Sequence, residues 1–331
     1  MAKQLKTEQA EPRPVAVCVA DLHLSSKPPA ARSGEKDWLR VQAGYLDQLR
    51  RLAVSPTGEQ RLICLVAGDF FDRYDTRADA VNVALSHLPH CHGIPGQHDL
   101  PNHNYKQIRR SSFWTLVKAG KVTPLEPGTP VEVQAGGTIL RLHGFPWGFP
   151  VKPLREPHDL ALEVAVIHAF LYTRKTGYEG APKEQHVYQW EHRLKGYGVA
   201  VFGDNHCPFS YRQKDNDTAC RMHNCGGFLR RRINEIDHRP SASLLYSDGT
   251  VKRHFLDVSH DRFITDEQAK AGVGQVKFAD FDKFLESLAE LGDAAIDFAD
   301  RLRRMLDHED VTPEIKQLIL SILEEEKCGR S

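Results

Sequence analysis

Five clusters of chemically able side chains recur along the chain, in the order Asp21-x-His23, Gly68-Asp69-Phe-Phe-Asp72, Gly96-Gln97-His98-Asp99, His168 and Gly203-Asp204-Asn205-His206. Hard divalent cations take carboxylate and carbonyl oxygen, and Mn2+, Fe2+ and Zn2+ accept neutral imidazole as well. Asp21, Asp69 and Asp204 with His23, His168, His206 and the Gln97 amide therefore make a ligand set for two such ions. Each piece alone has a plainer reading. An Asp behind a strand often forms a turn or caps a helix, and a lone strand-end His is more often structural than a ligand. Five of them in succession point to a metal centre.

The elements that must position these residues are legible as apolar runs. The run 15–20 ends in Asp21, 62–67 in Gly68-Asp69, 162–167 in His168 and 198–202 in Gly203-Asp204, while the short Gly93-Ile-Pro run leads to Gly96. Trp38, Val41, Tyr45, Leu46 and Leu49 fall at helical spacing, and a second helix is expected near 78–88. Alternating strand and helix with polar residues at strand ends is the α/β pattern whose sites lie where strands finish. Beyond residue 120 come short β pieces at 131–133 and 138–142, then a hairpin of 242–246 and 251–256 turned by Ser247-Asp248-Gly249. From Lys277 the periodicity is helical, with Thr312-Pro313 opening a last helix.

Composition bounds the class. The 331 residues are enough to bury a core without disulfide staples, and seven cysteines, an odd and scattered number, read as reduced thiols. With 40% hydrophobic residues, a mean hydropathy of −0.46 and no apolar run near the roughly 20 residues of a membrane span, no membrane association is expected. The polar start MAKQLKTEQAEPRP reads as a disordered leader without a secretion signal, which leaves the cytoplasm as the expected compartment. Net charge is zero, yet residues 1–260 carry 34 basic and 27 acidic side chains, whereas 261–331 carry 10 and 17. A basic body suits a polyanionic substrate, and equally suits ordinary solvated surface.

The motif order resembles that of the calcineurin-like metallophosphoesterases, whose signature runs DxH, GDxxD, GNHD or GNHE, H and GHxH, over about residues 14–258. Ala20-Asp-Leu-His-Leu24, Gly68–Asp72, the late Gly226-Gly227-Phe-Leu-Arg-Arg-Arg stretch, Ile236, Pro240 and the Ser247-Asp-Gly turn are most similar to SbcD-type nuclease subunits of DNA repair complexes. The resemblance implies an α/β (α+β) fold of two packed mixed β-sheets flanked by helices in four layers. It divides the chain into a leader (1–13), a metallophosphoesterase domain (14–260) and a C-terminal helical module (261–331). It assigns Asp21, His23, Asp69 and His206 to one metal and Asp69, Gln97, His168 and Asp204 to the other, with His98 as proton donor and Asp72 orienting its imidazole. Two such ions about 3.5–4 Å apart activate water and stabilise the leaving oxygen in phosphodiester hydrolysis. Mn2+ is the expected ion, with Mg2+, Fe2+ or Zn2+ as alternatives. DNA is the implied substrate, and the tail either docks on an SbcC-type ATPase or a second copy, or packs on its own domain.

Two positions depart from the family pattern: Gln97 stands for Asn, and Asp204 for the first His of GHxH. Asp204 as an oxygen ligand favours harder ions. The sequence Gly68-Asp-Phe-Phe-Asp72-Arg73 is similar to the GDxxDRG of protein phosphatases, which keeps a phosphomonoesterase in view with Arg73 as a phosphate contact. A metal-poor interaction scaffold is the third reading. Arg230, Arg231 and Arg232 lie in a stretch, 211–240, with seven basic and four acidic residues, and either bind DNA phosphates or form a strand edge in water. Cys207, Cys220, His223 and Cys225 are soft ligands, but without a Cys-x-x-Cys pair they read first as ordinary buried thiols and only second as a zinc site. Cys18 and Cys64 read as core, and His87, His90 and His92 as solvated surface.

Overall fold

The apolar runs form adjacent parallel strands. The structure, a computed structural model, describes residues 11–264 apart from 55–58, 60, 179, 215 and 217. In chain order β1 (Pro14–Val19), α1 (Trp38–Ala53), β2 (Ile63–Ala67), α2 (Ala78–His87), β3 (Cys91–Ile94), α3 (Ser112–Lys118) and β4 (Val122–Pro124) come first. There follow β5 (Val131–Ala135), β6 (Thr138–Phe145), β7 (Ala161–His168), β8 (Val199–Gly203), β9 (Phe209–Tyr211), β10 (Arg221–Asn224), β11 (Ser241–Tyr246) and β12 (Val251–Phe255). They build two mixed six-stranded sheets, ordered β12-β11-β1-β2-β3-β4 and β5-β6-β7-β8-β10-β9. β1 to β4 run parallel, and so do β6, β7, β8 and β10, while β5, β9, β11 and β12 join antiparallel.

Period-two alternation explains the layers. In β2, Leu65 and Ala67 join Val164, Val166, Val199 and Val201 of the second sheet in a common core, whereas Cys64 and Val66 pack with Tyr45, Leu46 and Leu49 of α1. Each fully buried aliphatic contributes roughly 1.5–3 kcal/mol. Asp37 caps α1 by accepting the Arg40 N–H at 3.0 Å. On the outer face of the second sheet, Ala165, Ile167, Ala200 and Phe202 meet Val151, Leu171, Val187, Trp190 and Leu194 from irregular chain and short 3-10 turns.

Among the elements the apolar pattern does not show, β4 is three residues with Pro124, and β10 interleaves Arg221, His223 and Asn224 with a single Met222. The expected helices at 277–327 and most of the leader lie outside the described residues. No described helix is long and apolar enough to cross a membrane.

Asp261, one residue beyond the expected boundary at 260, is hydrogen-bonded into the described body. Arg32, with no exposed surface, donates from Nη2 to Asp261 Oδ1 at 2.7 Å and from Nη1 to Arg230 O at 2.7 Å, and sits between the Trp38 and Phe263 rings. Arg230 donates from Nε to Asp261 Oδ2 at 2.7 Å, and the Tyr45 hydroxyl donates to the same oxygen at 2.7 Å. Removing the shared carboxylate leaves the buried Arg230 guanidinium without its anion and Arg32 with Glu35 alone. Asp261→Ala is therefore expected to cost about 3–5 kcal/mol, read as a lowered urea midpoint at unchanged slope; a midpoint like that of the parent contradicts this account.

Candidate metal centre

The ligand-bearing segments sit at the carboxyl ends of parallel strands: Asp21 and His23 beyond β1, Asp69 beyond β2, Gln97 and His98 beyond β3, His168 closing β7, and Asp204 and His206 beyond β8. Asp21, His23, Asp69 and Asp204 have φ of 54°, 43°, 52° and 80°. Non-glycine residues seldom enter that left-handed region, and such strain persists only where the surroundings enforce it. The Asp21 N–H donates to Gly68 O at 3.0 Å and the His23 N–H to Asp69 O at 2.9 Å. Asp99, fully buried, accepts the Phe70 and Phe71 N–H groups at 3.1 Å and the Gly96 N–H at 3.0 Å, which clamps the β2 and β3 exit loops together. Burial, then the Asp69 charge, pushes Asp99 up to about 7 against the pull of those bonds. A Cβ at Gly96 would lie 2.0 Å from Asp69 Oδ1, and one at Gly68 would lie 2.1 Å from His168 Nδ1.

Hydrogen bonds fix the imidazole tautomers. His168 Nδ1 donates to Ala67 O at 2.7 Å; because a carbonyl only accepts, the neutral ring presents its Nε2 lone pair. That nitrogen faces Gln97 Oε1 at 2.7 Å and Asp69 Oδ2 at 3.4 Å. Three electron donors converging on one point repel unless a proton or a metal cation lies among them. His206 follows the same scheme, with Nδ1 3.5 Å from Glu235 Oε1 and Nε2 3.2 Å from His23 Nε2, which is itself 3.7 Å from Asp69 Oδ2. Donor atoms converge within 4.8 Å in three groups, Asp21, His23 and His206; Asp21, Asp69 and His168; and His23, Asp72 and His98. The convergence of lone pairs on carboxylate oxygens fits divalent cations.

The charges report the same convergence. Burial opposes a charge on His168, but Asp69 outweighs it and raises the imidazole to about 10. Asp69, although buried, is held well below the carboxylate range by His168, His23 and His98. Burial raises Asp21 to about 6, and it lowers His23. Glu235, against its own burial, is held down to about 2 by His206 and by the Arg231 and Arg232 N–H groups.

Several sequence expectations change. The Asp204 carboxylate is outside all three donor groups; its Oδ1 accepts the Gln97 Nε2–H at 2.9 Å, so the two positions that depart from the family pattern bind each other. The Asp204 N–H donates to both Asp21 oxygens, at 2.9 and 3.1 Å. His98 Nδ1 donates to the main-chain oxygen of Asp72 at 2.8 Å, so the Asp72 carbonyl, not its carboxylate, orients the imidazole. That carboxylate instead accepts from Arg231 Nη2 at 2.6 Å and lies 3.6 Å from His23 Nδ1. Arg230 is committed to Asp261 and to the Ile236 and Val258 carbonyls, and Arg73 is an exposed partner of Asp75; neither lines the cleft. Arg231 and Arg232 do. Glu235, three residues behind Arg232, is a site residue the sequence reading missed.

The soft-ligand cluster is dispersed. His223 binds the Ser210 and Ser243 hydroxyls at 2.9 and 2.7 Å, Cys220 and Cys225 belong to different cores, and Cys207 is exposed, against the expectation of ordinary buried thiols for all. His92 is buried rather than solvated, and burial lowers it to about 4.

The centre opens into a cleft of about 780 Å³ bounded by His23, Asp69, Gln97 and His98 on one side and by Phe170, Tyr178, Arg231 and Arg232 on others.

Comparison with curated proteins gives no match. Among solved structures the chain is similar to the Thermus thermophilus sulfate thiohydrolase SoxB in complex with glycerol, at 12% identity and TM-score 0.42 over 80% of this chain and 60% of that one. It is similar to the Haemophilus influenzae NAD nucleotidase at 12% and 0.42, over 83% and 60%, and to the Mycobacterium tuberculosis phosphopantetheinyl hydrolase at 14% and 0.40, over 75% and 98%. The chain spans about 60% of the length of the first two. The family model for calcineurin-like phosphoesterases matches residues 15–208. That match takes in more than half of the sequence and every strand end that bears a donor, and the chain belongs to the calcineurin-like phosphoesterase family.

Proposed function

We propose that this metallophosphoesterase is a nuclease of the SbcD type that hydrolyses phosphodiesters in DNA. The observation that carries the reading is the charge balance of the cleft. Arg231, which reaches the ligand cluster, is already bound to the Asp72 carboxylate, and Arg232 stands exposed beside it. One compensated and one solvated guanidinium suit a diester, with its single negative charge, better than a dianionic monoester. The net positive charge of residues 1–260 also suits a polyanionic substrate.

Asp21, His23, Asp69 and His206 would hold one ion, and Asp69, Gln97 and His168 the other, with Mn2+ favoured by the mixture of oxygen and imidazole donors. Such ions, when bound, polarise the phosphoryl oxygen and supply an activated water. The chain's own residues do the rest. Asp204 turns the Gln97 amide so that Oε1 faces His168. Asp72 O holds His98 by Nδ1, and Nε2 of the imidazolium protonates the departing oxygen. The tail at 277–327 would dock an SbcC-type ATPase or a second copy of the chain.

With Mn2+, Mg2+ or Zn2+ supplied, single-stranded DNA and bis-p-nitrophenyl phosphate are expected to be cut faster than p-nitrophenyl phosphate; preference for the monoester would make the protein a phosphomonoesterase. His98→Ala is expected to lower kcat by about 10²–10⁴ while calorimetry finds Mn2+ affinity unchanged; lost affinity would make His98 a ligand. Asp204→Ala is expected to weaken Mn2+ binding by roughly 10–100-fold through the freed Gln97 amide, and calorimetry returning the parent's affinity would remove Asp204 from that role.

A further inference from the structure

The cleft carries a feature that hydrolysis of the phosphate does not use. Phe170 and Tyr178, two residues beyond His168 and ten, line it with Thr176 and Gly177, and their rings lie 5.5 Å apart at 60°. Tyr178 leaves 61% of its surface in water. An aromatic ring that exposed gains little by burial, so its place in the cleft is not explained by the core.

The loop that bears the pair is nevertheless fixed. Asn205, buried between Asp204 and His206 in sequence, donates from Nδ2 to Leu171 O at 2.7 Å and to Thr176 O at 3.3 Å. A Cβ on Gly177 would come within 2.5 Å of the Tyr172 ring, so the turn holding Tyr178 lies flat on that ring. The turn itself is closed by the Thr173 N–H on Thr176 Oγ1 at 2.9 Å. The same segment that supplies His206 therefore helps to place the exposed Tyr178 ring and the half-buried Phe170 ring relative to the donors.

We propose that Phe170 and Tyr178 are a stacking platform for an unpaired base of single-stranded DNA next to the phosphate being cut, with Arg231 and Arg232, which line the same cleft, taking the backbone. A π-face accepts any base, so the platform gives affinity without sequence preference, and base stacking on an aromatic ring is worth a substantial part of single-strand binding. The inference rests on the nuclease reading and deepens it.

The test compares fluorescein-labelled oligothymidylate with a strand of equal length and charge built of abasic residues, by anisotropy in EDTA, where no cleavage occurs. The protein is expected to bind oligothymidylate roughly tenfold or more tightly than the abasic strand. Tyr178→Ala should erase most of that preference and Tyr178→Phe should keep it, with circular dichroism showing both folded. Equal binding of the two strands by the parent, including binding of neither, overturns the platform, as does an undiminished preference in Tyr178→Ala paired with Phe170→Ala. Base-dependent binding without cleavage when Mn2+ is restored would overturn the nuclease reading and leave the platform standing. Cleavage of intact and abasic strands alike, without a difference in binding, would do the reverse.

Discussion

The arrangement depends on how closely two sheets can approach at their carboxyl ends. His168, closing β7 in one sheet, bonds to the carbonyl of Ala67, closing β2 in the other, and a Cβ on Gly203 would lie 2.2 Å from that same carbonyl oxygen. Backbones at that separation admit glycine and little else, and Gly68 meets the same demand from the opposite side. Once the edges are joined there, Asp69 can stand between imidazoles that come from different sheets, with Oδ1 fixed by the His98 N–H at 3.0 Å. The left-handed backbone at Asp21, His23 and Asp69 accompanies that juncture, held by hydrogen bonds between the exits of β1 and β2.

A second consequence of the juncture is electrostatic. The cluster gathers carboxylates and neutral imidazoles where water is largely displaced, a setting in which mutual repulsion is strong. Protons partly relieve it, as the raised His168 and depressed Asp69 show. Cations relieve it more fully, so affinity for metal and affinity for protons draw on the same lone pairs. Glu235 and Ala67 O act from outside by holding the Nδ1 side of His206 and His168, so that the competition takes place at Nε2 in both rings.

Much of this fold is legible in the sequence. Four long apolar runs, each followed by a polar residue, located the strand ends, and the order of motifs assigned the donors. What escaped has physical reasons. β10 carries no apolar alternation, because buried His223 bonds to Ser243 and the Asn224 Nδ2 group donates to the Asn205 and Cys207 carbonyls. Arg230 looked like one charge among three, since its partner Asp261 lies 31 residues on, in a segment that read as tail. The bond of Asp204 to Gln97 escapes because position in a motif is visible in sequence, whereas contact between residues 107 positions apart is not. The role of Asp99 is invisible in sequence, for its partners are main-chain N–H groups.

Cys207 follows His206 directly and lines the cleft, and among the described cysteines it is exposed while Cys18, Cys64, Cys91, Cys220 and Cys225 are buried. Thiol chemistry is governed by access and by the thiolate fraction. A maleimide dye or a nitroxide label therefore attaches beside the donors in the unaltered sequence, without the removal of competing cysteines from the described body. The molecule thus carries its own reporter position, from which fluorescence quenching or paramagnetic broadening can follow an ion or a strand as it enters.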